Sequence, residues 1–240
     1  MKSYKLIIMY DGTDFYGSQV NGDLRTLEKE LTSVISRIND EPSKIYLASR
    51  LDKGVHARGM TAKVSLKKDV KDLKYVLNNA LARDIYIKEA SVIDNTFNPR
   101  YDALYKIYTY YINTKEDSPF INRYSLYINK NLDINKMKDA KTYLEGTHDF
   151  TYFTDLDNDK NPIRKIDDIK IEEDDKIIKI SFKGKSFLRY QVRYMTGILI
   201  KVGLGEINPI DVKRYMSGEL KLNRNFKADS KGLFLERIIY

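Results

Sequence analysis

Ser49-Arg50-Leu51-Asp52-Lys53-Gly54-Val55-His56-Ala57 lies between two apolar stretches, residues 45–48 and 60–66. Both stretches read as strands, so this segment lies in the loop that joins them, and Gly54 permits a sharp turn in it. Moving outward, residues 5–10 form a strand that Asp11-Gly12-Thr13 ends. Residues 23–38 place Leu24, Leu27, Leu31, Val34, Ile35 and Ile38 at helical spacing. On the far side, Asp69 reads as the N-cap of a helix through Leu81, and residues 85–92 return as a strand. The order β-α-β-β-α-β is the ferredoxin-like split.

A second half of similar layout begins near residue 100. Residues 101–112 alternate as a long strand, and 133–144 are helical in pattern. Residues 166–171 and 176–182 predict a hairpin about the acidic turn Glu172-Glu173-Asp174-Asp175. Residues 187–202 carry the strongest helical pattern, with Leu188, Val192, Met195, Leu199 and Val202 on one face. Pro209 opens a short helix and residues 233–239 close the chain as a strand. There is no repeat and no flexible linker, so the expectation is an α+β fold. It would have two ferredoxin-like halves, 1–100 and 101–240, sharing a mostly antiparallel sheet. The loop 154–161, rich in Asp and Asn, is the candidate for a mobile lid.

Composition narrows the chemistry. Across 240 residues, 42% hydrophobic and 32% charged is a globular balance. No stretch approaches the ~18 consecutive apolar residues of a membrane span. The apolar run Leu6-Ile7-Ile8-Met9 is too short for a signal-peptide core, so the chain is expected to be soluble and cytoplasmic. Without cysteine there can be no disulfide, thiolate metal site or cysteine nucleophile. The two histidines, His56 and His148, leave little for a metal centre and read as structural hydrogen bonders. Catalysis must rest on carboxylates, tyrosines, lysines or arginines. The formal charge of +8 suits a polyanionic partner, because neutralising phosphates releases condensed counterions, although a merely basic surface would carry the same charge.

Asp52, flanked by Arg50 and Lys53, stays ionised and can act as nucleophile or base. The same residues would also suit a solvated Asx-type turn. Other segments decide between these readings. The loop resembles the G-R-T-D-x-G-V-H-A signature of the TruA family of tRNA pseudouridine synthases. Tyr10-Asp11-Gly12-Thr13-Asp14-Phe15-Tyr16-Gly17-Ser18-Gln19 resembles that family's Y-D-G-T-x-F-x-G-W-Q, and Leu77-Asn78-Asn79-Ala80-Leu81 precedes a strand as it does there. Phe97-Asn98-Pro99-Arg100-Tyr101-Asp102-Ala103, continued by Tyr105-Lys106-Ile107-Tyr108-Thr109-Tyr110, resembles F-H-A-R-F-x-A with its R-x-Y-x-Y tail. Gly146-Thr147-His148-Asp149-Phe150-Thr151-Tyr152-Phe153 resembles G-x-H-D-F-x-x-F. Phe187-Leu188 through Gln191-Val192-Arg193-Tyr194-Met195-Thr196-Gly197 resembles F-L-x-x-M-V-R-x-M-V-G, and Gly232-Leu233-Phe234-Leu235 resembles the closing G-L-x-L. The chain departs from these patterns at Ser18 for tryptophan, Ser49 for glycine, Leu51 for threonine, and Asn98-Pro99 for H-A. Arg50-Leu51-Asp52 also matches the R-L-D of sister families that modify ribosomal RNA, which keeps a different RNA target as the rival reading.

The resemblance implies the pseudouridine synthase fold and an isomerase that breaks the N1–C1′ bond of a uridine and rejoins the base through C5. It implies Asp52 as the catalytic carboxylate and Arg193 as the residue that keeps it ionised. It implies Tyr108 as the ring that stacks on the uracil, where packing beside Tyr110 would otherwise be the plain reading. Arg50 would reach the flipped nucleotide and Leu235 would help wall the pocket. The substrate would be the anticodon stem-loop of tRNA at positions 38 to 40, bound by a homodimer. No metal, small-molecule cofactor or membrane is implied. A non-catalytic RNA-binding protein on the same sheet is the alternative from another class.

Overall fold

The computed structural model describes residues 1–155 and 161–240. Residues 156–160, the centre of the loop expected to be a lid, lie outside them. In chain order the elements are β1 (Lys2–Tyr10), α1 (Leu27–Asn39), β2 (Ile45–Leu47), β3 (His56–Leu66), α2 (Leu73–Ala80), β4 (Ile85–Ile93) and β5 (Tyr105–Asn113). Then come α3 (Pro119–Asn122), β6 (Leu126–Tyr127), α4 (Ile134–Lys141), β7 (Gly146–Asp149), β8 (Ile163–Asp174) and β9 (Ile177–Gly184). α5 (Gln191–Gly203), α6 (Pro209–Ser217) and β10 (Leu233–Ile239) complete the chain. No helix among the described residues is long and apolar enough to cross a membrane.

The chain divides into two compact units, Met1–Leu104 with Phe234–Tyr240, and Tyr105–Leu233. In the first, β1 lies antiparallel between β3 and β4, with Leu6 opposite both Ala62 and Ala90. Tyr4, Leu6 and Ile8 share a face with Val64, Ala62 and Met60, and all six are buried. The apolar stripes of α1 (Leu27, Leu31, Val34, Ile35) and α2 (Leu73, Leu77) are buried with them. The other edge of β3 is divided in two. Its far end pairs antiparallel with β2, Ile45 opposite Val64, whereas its start pairs parallel with β10, His56 opposite Phe234. The catalytic-loop candidate joins β2 to β3, so it emerges where β3 changes partners.

In the second unit β5, β9, β8 and β7 form consecutive antiparallel pairs, and the short β6 runs parallel to the end of β5. Ile112, Ile178, Ile180 and Ile171 are buried there, and α4 packs on α5, α6 and β8. The α+β class and the mostly antiparallel pairing agree with the sequence pattern. Several boundaries differ, each for a local reason. α1 starts at Leu27, not at 23, because Thr26 takes the N-cap and its hydroxyl accepts from Lys29 N. α2 is capped by Asp72, whose carboxylate accepts from Tyr75 N, whereas Asp69 faces Lys2 in solvent. The hairpin turns at Asp175-Lys176, both at positive φ (45° and 61°), so Glu172, Glu173 and Asp174 belong to β8. A two-residue turn with both φ positive is the primed type whose twist matches antiparallel strands. α5 begins at Gln191 because Tyr190 adopts a left-handed φ of 62°, which leaves Phe187 and Leu188 in the preceding turn.

Candidate active site

The β2–β3 loop is held on both sides of Asp52. Upstream, Leu51 N donates to Ser18 Oγ at 2.8 Å, and Leu51 O accepts from Ser18 N at 3.0 Å. Downstream, Val55 N donates to Asp52 O at 3.2 Å and Gly54 N donates to Phe15 O at 3.2 Å. Gly54 sits at φ 76°, the value a type II turn demands at its third residue and that L side chains resist. Leu51 and Val55 are buried while Asp52 is half-buried, so the apolar neighbours anchor the turn and the carboxylate stands at its rim. Arg50 and Lys53 are exposed, and Lys53 Nζ lies 4.0 Å from the centre of the Tyr16 ring.

His56 opens β3 and is 1% exposed. Its Nδ1 accepts from Gly12 N at 2.9 Å. Asp11 Oδ1 lies 3.1 Å from the same nitrogen, and the ring stacks on Phe234 at 4.5 Å and 20°. His56 therefore locks the Asp11-Gly12-Thr13 turn against the start of β3, the structural role its sequence setting gave it. Leu235, fully buried on β10, is the register partner of Ala57. The first unit thus gathers Arg50 and Asp52 on one loop, with Leu235 on the strand beside its end.

The second unit carries the other two candidates on separate elements. Tyr108, 7% exposed on β5, is the register partner of Phe182, and its ring meets Phe187 edge-on at 5.2 Å and 80°. Arg193 is half-buried on the first turn of α5. Its Nε donates to Ala228 O at 2.7 Å and its backbone O accepts from Ala228 N at 3.1 Å. The guanidinium also lies 5.3 Å from the Tyr190 ring centre. This is not a side chain waving in solvent; the 226–228 segment fixes its direction. Close by, Asp155 accepts from Tyr194 Oη at 2.8 Å and from Lys227 Nζ at 3.1 Å. Burial pushes its pKa up, but these hydrogen bonds and the Arg224 and Lys227 charges outweigh burial and bring it below the usual carboxylate range. His148 bonds Glu145 O through Nε2 at 2.6 Å, within its own turn.

Three supporting residues escaped the sequence reading. Ser18 was visible only as a departure from a motif, and Phe187 was read as the start of the helix when it lies in the turn before it. Ala228 gives no signal, since it acts through its backbone. Among the described residues no group of three or more His, Asp or Glu side chains could hold a metal ion.

Comparison with known proteins gives the family. The model of a family described as tRNA pseudouridine synthase matches residues 6–102 and 140–240, which include every candidate above except Tyr108. The chain belongs to that family, and its α+β architecture is the pseudouridine synthase fold. Relatives named tRNA pseudouridine synthase A include one from Thermosipho africanus, 36% identical over 100% of both chains, and one from Pseudothermotoga lettingae, 36% identical over 98% of each. A tRNA pseudouridine synthase A 2 from Bacillus thuringiensis is 33% identical over 99% of both. The likeness to a solved Cbf5-Nop10-Gar1 complex is remote, with a TM-score of 0.34 and 14% identity over 82% of this chain and 54% of that one. The family assignment comes from the sequence matches.

Proposed function

We propose that this chain converts uridine to pseudouridine in the anticodon arm of tRNA, at positions 38 to 40, with Asp52 as the reacting carboxylate. The reading rests on one observation above the others. An acidic side chain stands half-buried at the rim of a loop braced at Leu51, Gly54 and Val55, in a chain belonging to the tRNA pseudouridine synthases. A solvated turn would not need that bracing. The reaction asks for a carboxylate at the sugar, a flat surface for the detached uracil, and cations for the RNA backbone. Tyr108 supplies the flat surface, with Phe187 setting its ring. Arg193, whose Nε donates to Ala228 O, is the residue to which the family resemblance assigns the task of keeping the carboxylate ionised. Arg50 is exposed on the loop and reaches the extruded nucleotide or its phosphates, and Leu235 lines the apolar side of the pocket. The excess of Lys and Arg, 42 against 34 acids, favours tRNA on the enzyme surface. The working form is a cytoplasmic homodimer, and neither cofactor nor metal enters the chemistry.

The experiment is tritium release from unmodified tRNA carrying 5-tritiated uridine. Wild-type protein is expected to release tritium and Asp52→Ala to release none while still binding tRNA. Release that continues in the variant would remove Asp52 from the reaction. No release from either, with tRNA bound, would favour the non-catalytic RNA-binding reading.

A further inference from the structure

Ser18 braces the loop at Leu51 but has no part yet in the reaction; it is fully buried and all its polar atoms are engaged around that loop. Its backbone O accepts from Glu28 N at 2.9 Å in the first turn of α1, and its N donates to Leu51 O at 3.0 Å. Leu51 N, on the buried residue between Arg50 and Asp52, therefore needs an acceptor that the Ser18 carbonyl does not provide. Ser18 Oγ provides it at 2.8 Å and donates in turn to Ser49 O at 3.3 Å. Leu51 N belongs to the peptide plane joining it to Arg50, and Leu51 O belongs to the plane joining it to Asp52. One residue thereby fixes both planes, and with them the direction in which Arg50 and Asp52 leave the loop.

We infer that Ser18 is a positioning residue for the reaction: its hydroxyl sets the geometry of the Arg50-Leu51-Asp52 segment, coupling the start of α1 to the catalytic carboxylate. The inference rests on the assignment of Asp52 above. It also accounts for two departures from the family pattern at once. That pattern has tryptophan at position 18, whose indole N–H can only donate, and a threonine hydroxyl at position 51. Here the hydroxyl and the apolar side chain have changed places, Ser18 for one and Leu51 for the other. The two exchanged residues are in direct hydrogen-bond contact.

The test compares single-turnover rate and tRNA affinity in wild type, Ser18→Ala, Ser18→Cys and Asp52→Asn. Ile35→Val, a core change in α1, serves as a control for general loss of stability. Ser18→Ala is expected to slow the single-turnover step roughly tenfold, as one buried N–H left without its acceptor would in a site tuned for orientation. Its tRNA dissociation constant should stay within about twofold of wild type, since no RNA contact is removed. Ser18→Cys nearly preserves the volume but offers only a weak sulfur acceptor, so it should fold even if the alanine variant does not, and be slowed as well. Wild-type rates in either folded Ser18 variant, with Asp52→Asn inactive, would overturn the inference alone. So would a loss no greater than that of an Ile35→Val protein of matched thermal midpoint. Activity surviving in Asp52→Asn would instead remove the carboxylate assignment, and this inference with it.

Discussion

Tyr108 and Tyr110 are two positions apart on β5, and the difference between them decides which can meet a substrate. Tyr110 is fully buried, its hydroxyl donates to Asp229 O at 2.8 Å, and burial drives its pKa far above the ordinary tyrosine value. Every part of that side chain is committed to packing. Tyr108 keeps 7% of its exposure, and its ring is oriented by a perpendicular contact with Phe187 at 5.2 Å. A ring held in that way suits stacking on a base, worth about 1–3 kcal/mol. Tyr108→Phe keeps the ring and should retain most of the wild-type kcat/KM for tritium release. Tyr108→Leu should lose about ten- to a hundredfold, the rate equivalent of that stacking energy. Equal losses in both variants would shift the role from the ring to the hydroxyl.

α5 is the element on which packing meets the role proposed for Arg193. Its Gly197 faces the backbone of the 224–226 turn so closely that a Cβ there would stand 1.8 Å from Phe226 O. Helix propensity alone says that Gly→Ala in a helix interior gains about 1 kcal/mol. Here the methyl must displace a main-chain carbonyl, and overpacking of a rigid contact costs about 1–3 kcal/mol or more. Gly197→Ala is therefore expected to lower the thermal midpoint, and to reduce activity further because the same segment carries Ala228, the acceptor that aims Arg193. A midpoint raised by the substitution would show that propensity wins and that the contact yields. How much of this was legible in the sequence follows from the range of each interaction. The period of α5 and the alternation of β1 and β3 are local patterns, so the elements and their order could be read. The start of α5 could not, because it depends on Tyr190 entering a left-handed conformation that no periodicity encodes. The hairpin turn was displaced for a related reason: clustered acids suggested a turn, but Asp175 and Lys176 make it and the acids extend a strand. For the candidate site, Asp52, Tyr108 and Arg193 stood out through the resemblance to family motifs. Their supports come from positions 33 and 35 residues away, Ser18 for Leu51 and Ala228 for Arg193, and such bonds leave no mark in a single sequence.

At the scale of the whole chain, a buried tyrosine and a half-buried one make stability depend on alkaline pH, one in each unit. In the second unit Tyr194 is pushed up to about 12, first by burial and then by its hydrogen bond to Asp155. In the first unit Tyr240 is likewise pushed up to about 12, chiefly by burial, with its hydroxyl donating to Pro99 O at 2.7 Å. The sign follows from proton counting. Between the ordinary value of 10 and about 12 the unfolded chain has released these protons while the folded chain still holds them. The native state then binds more protons than the unfolded one, so stability falls as pH rises through that window and is fully present below it. Lysines titrate over the same range, so the comparison must be between variants. Tyr240→Phe removes one such proton along with the Pro99 bond. Its thermal midpoint should lie below that of wild type at pH 7, by the loss of a hydrogen bond worth about 1 kcal/mol. From pH 10 to pH 12 it should then fall less steeply, and the gap between the two proteins should narrow. Thermal melts followed by circular dichroism at pH 7, 10 and 12 measure both effects. Parallel decline in the two proteins would mean that the Tyr240 proton is no harder to remove from the folded chain than from the unfolded one.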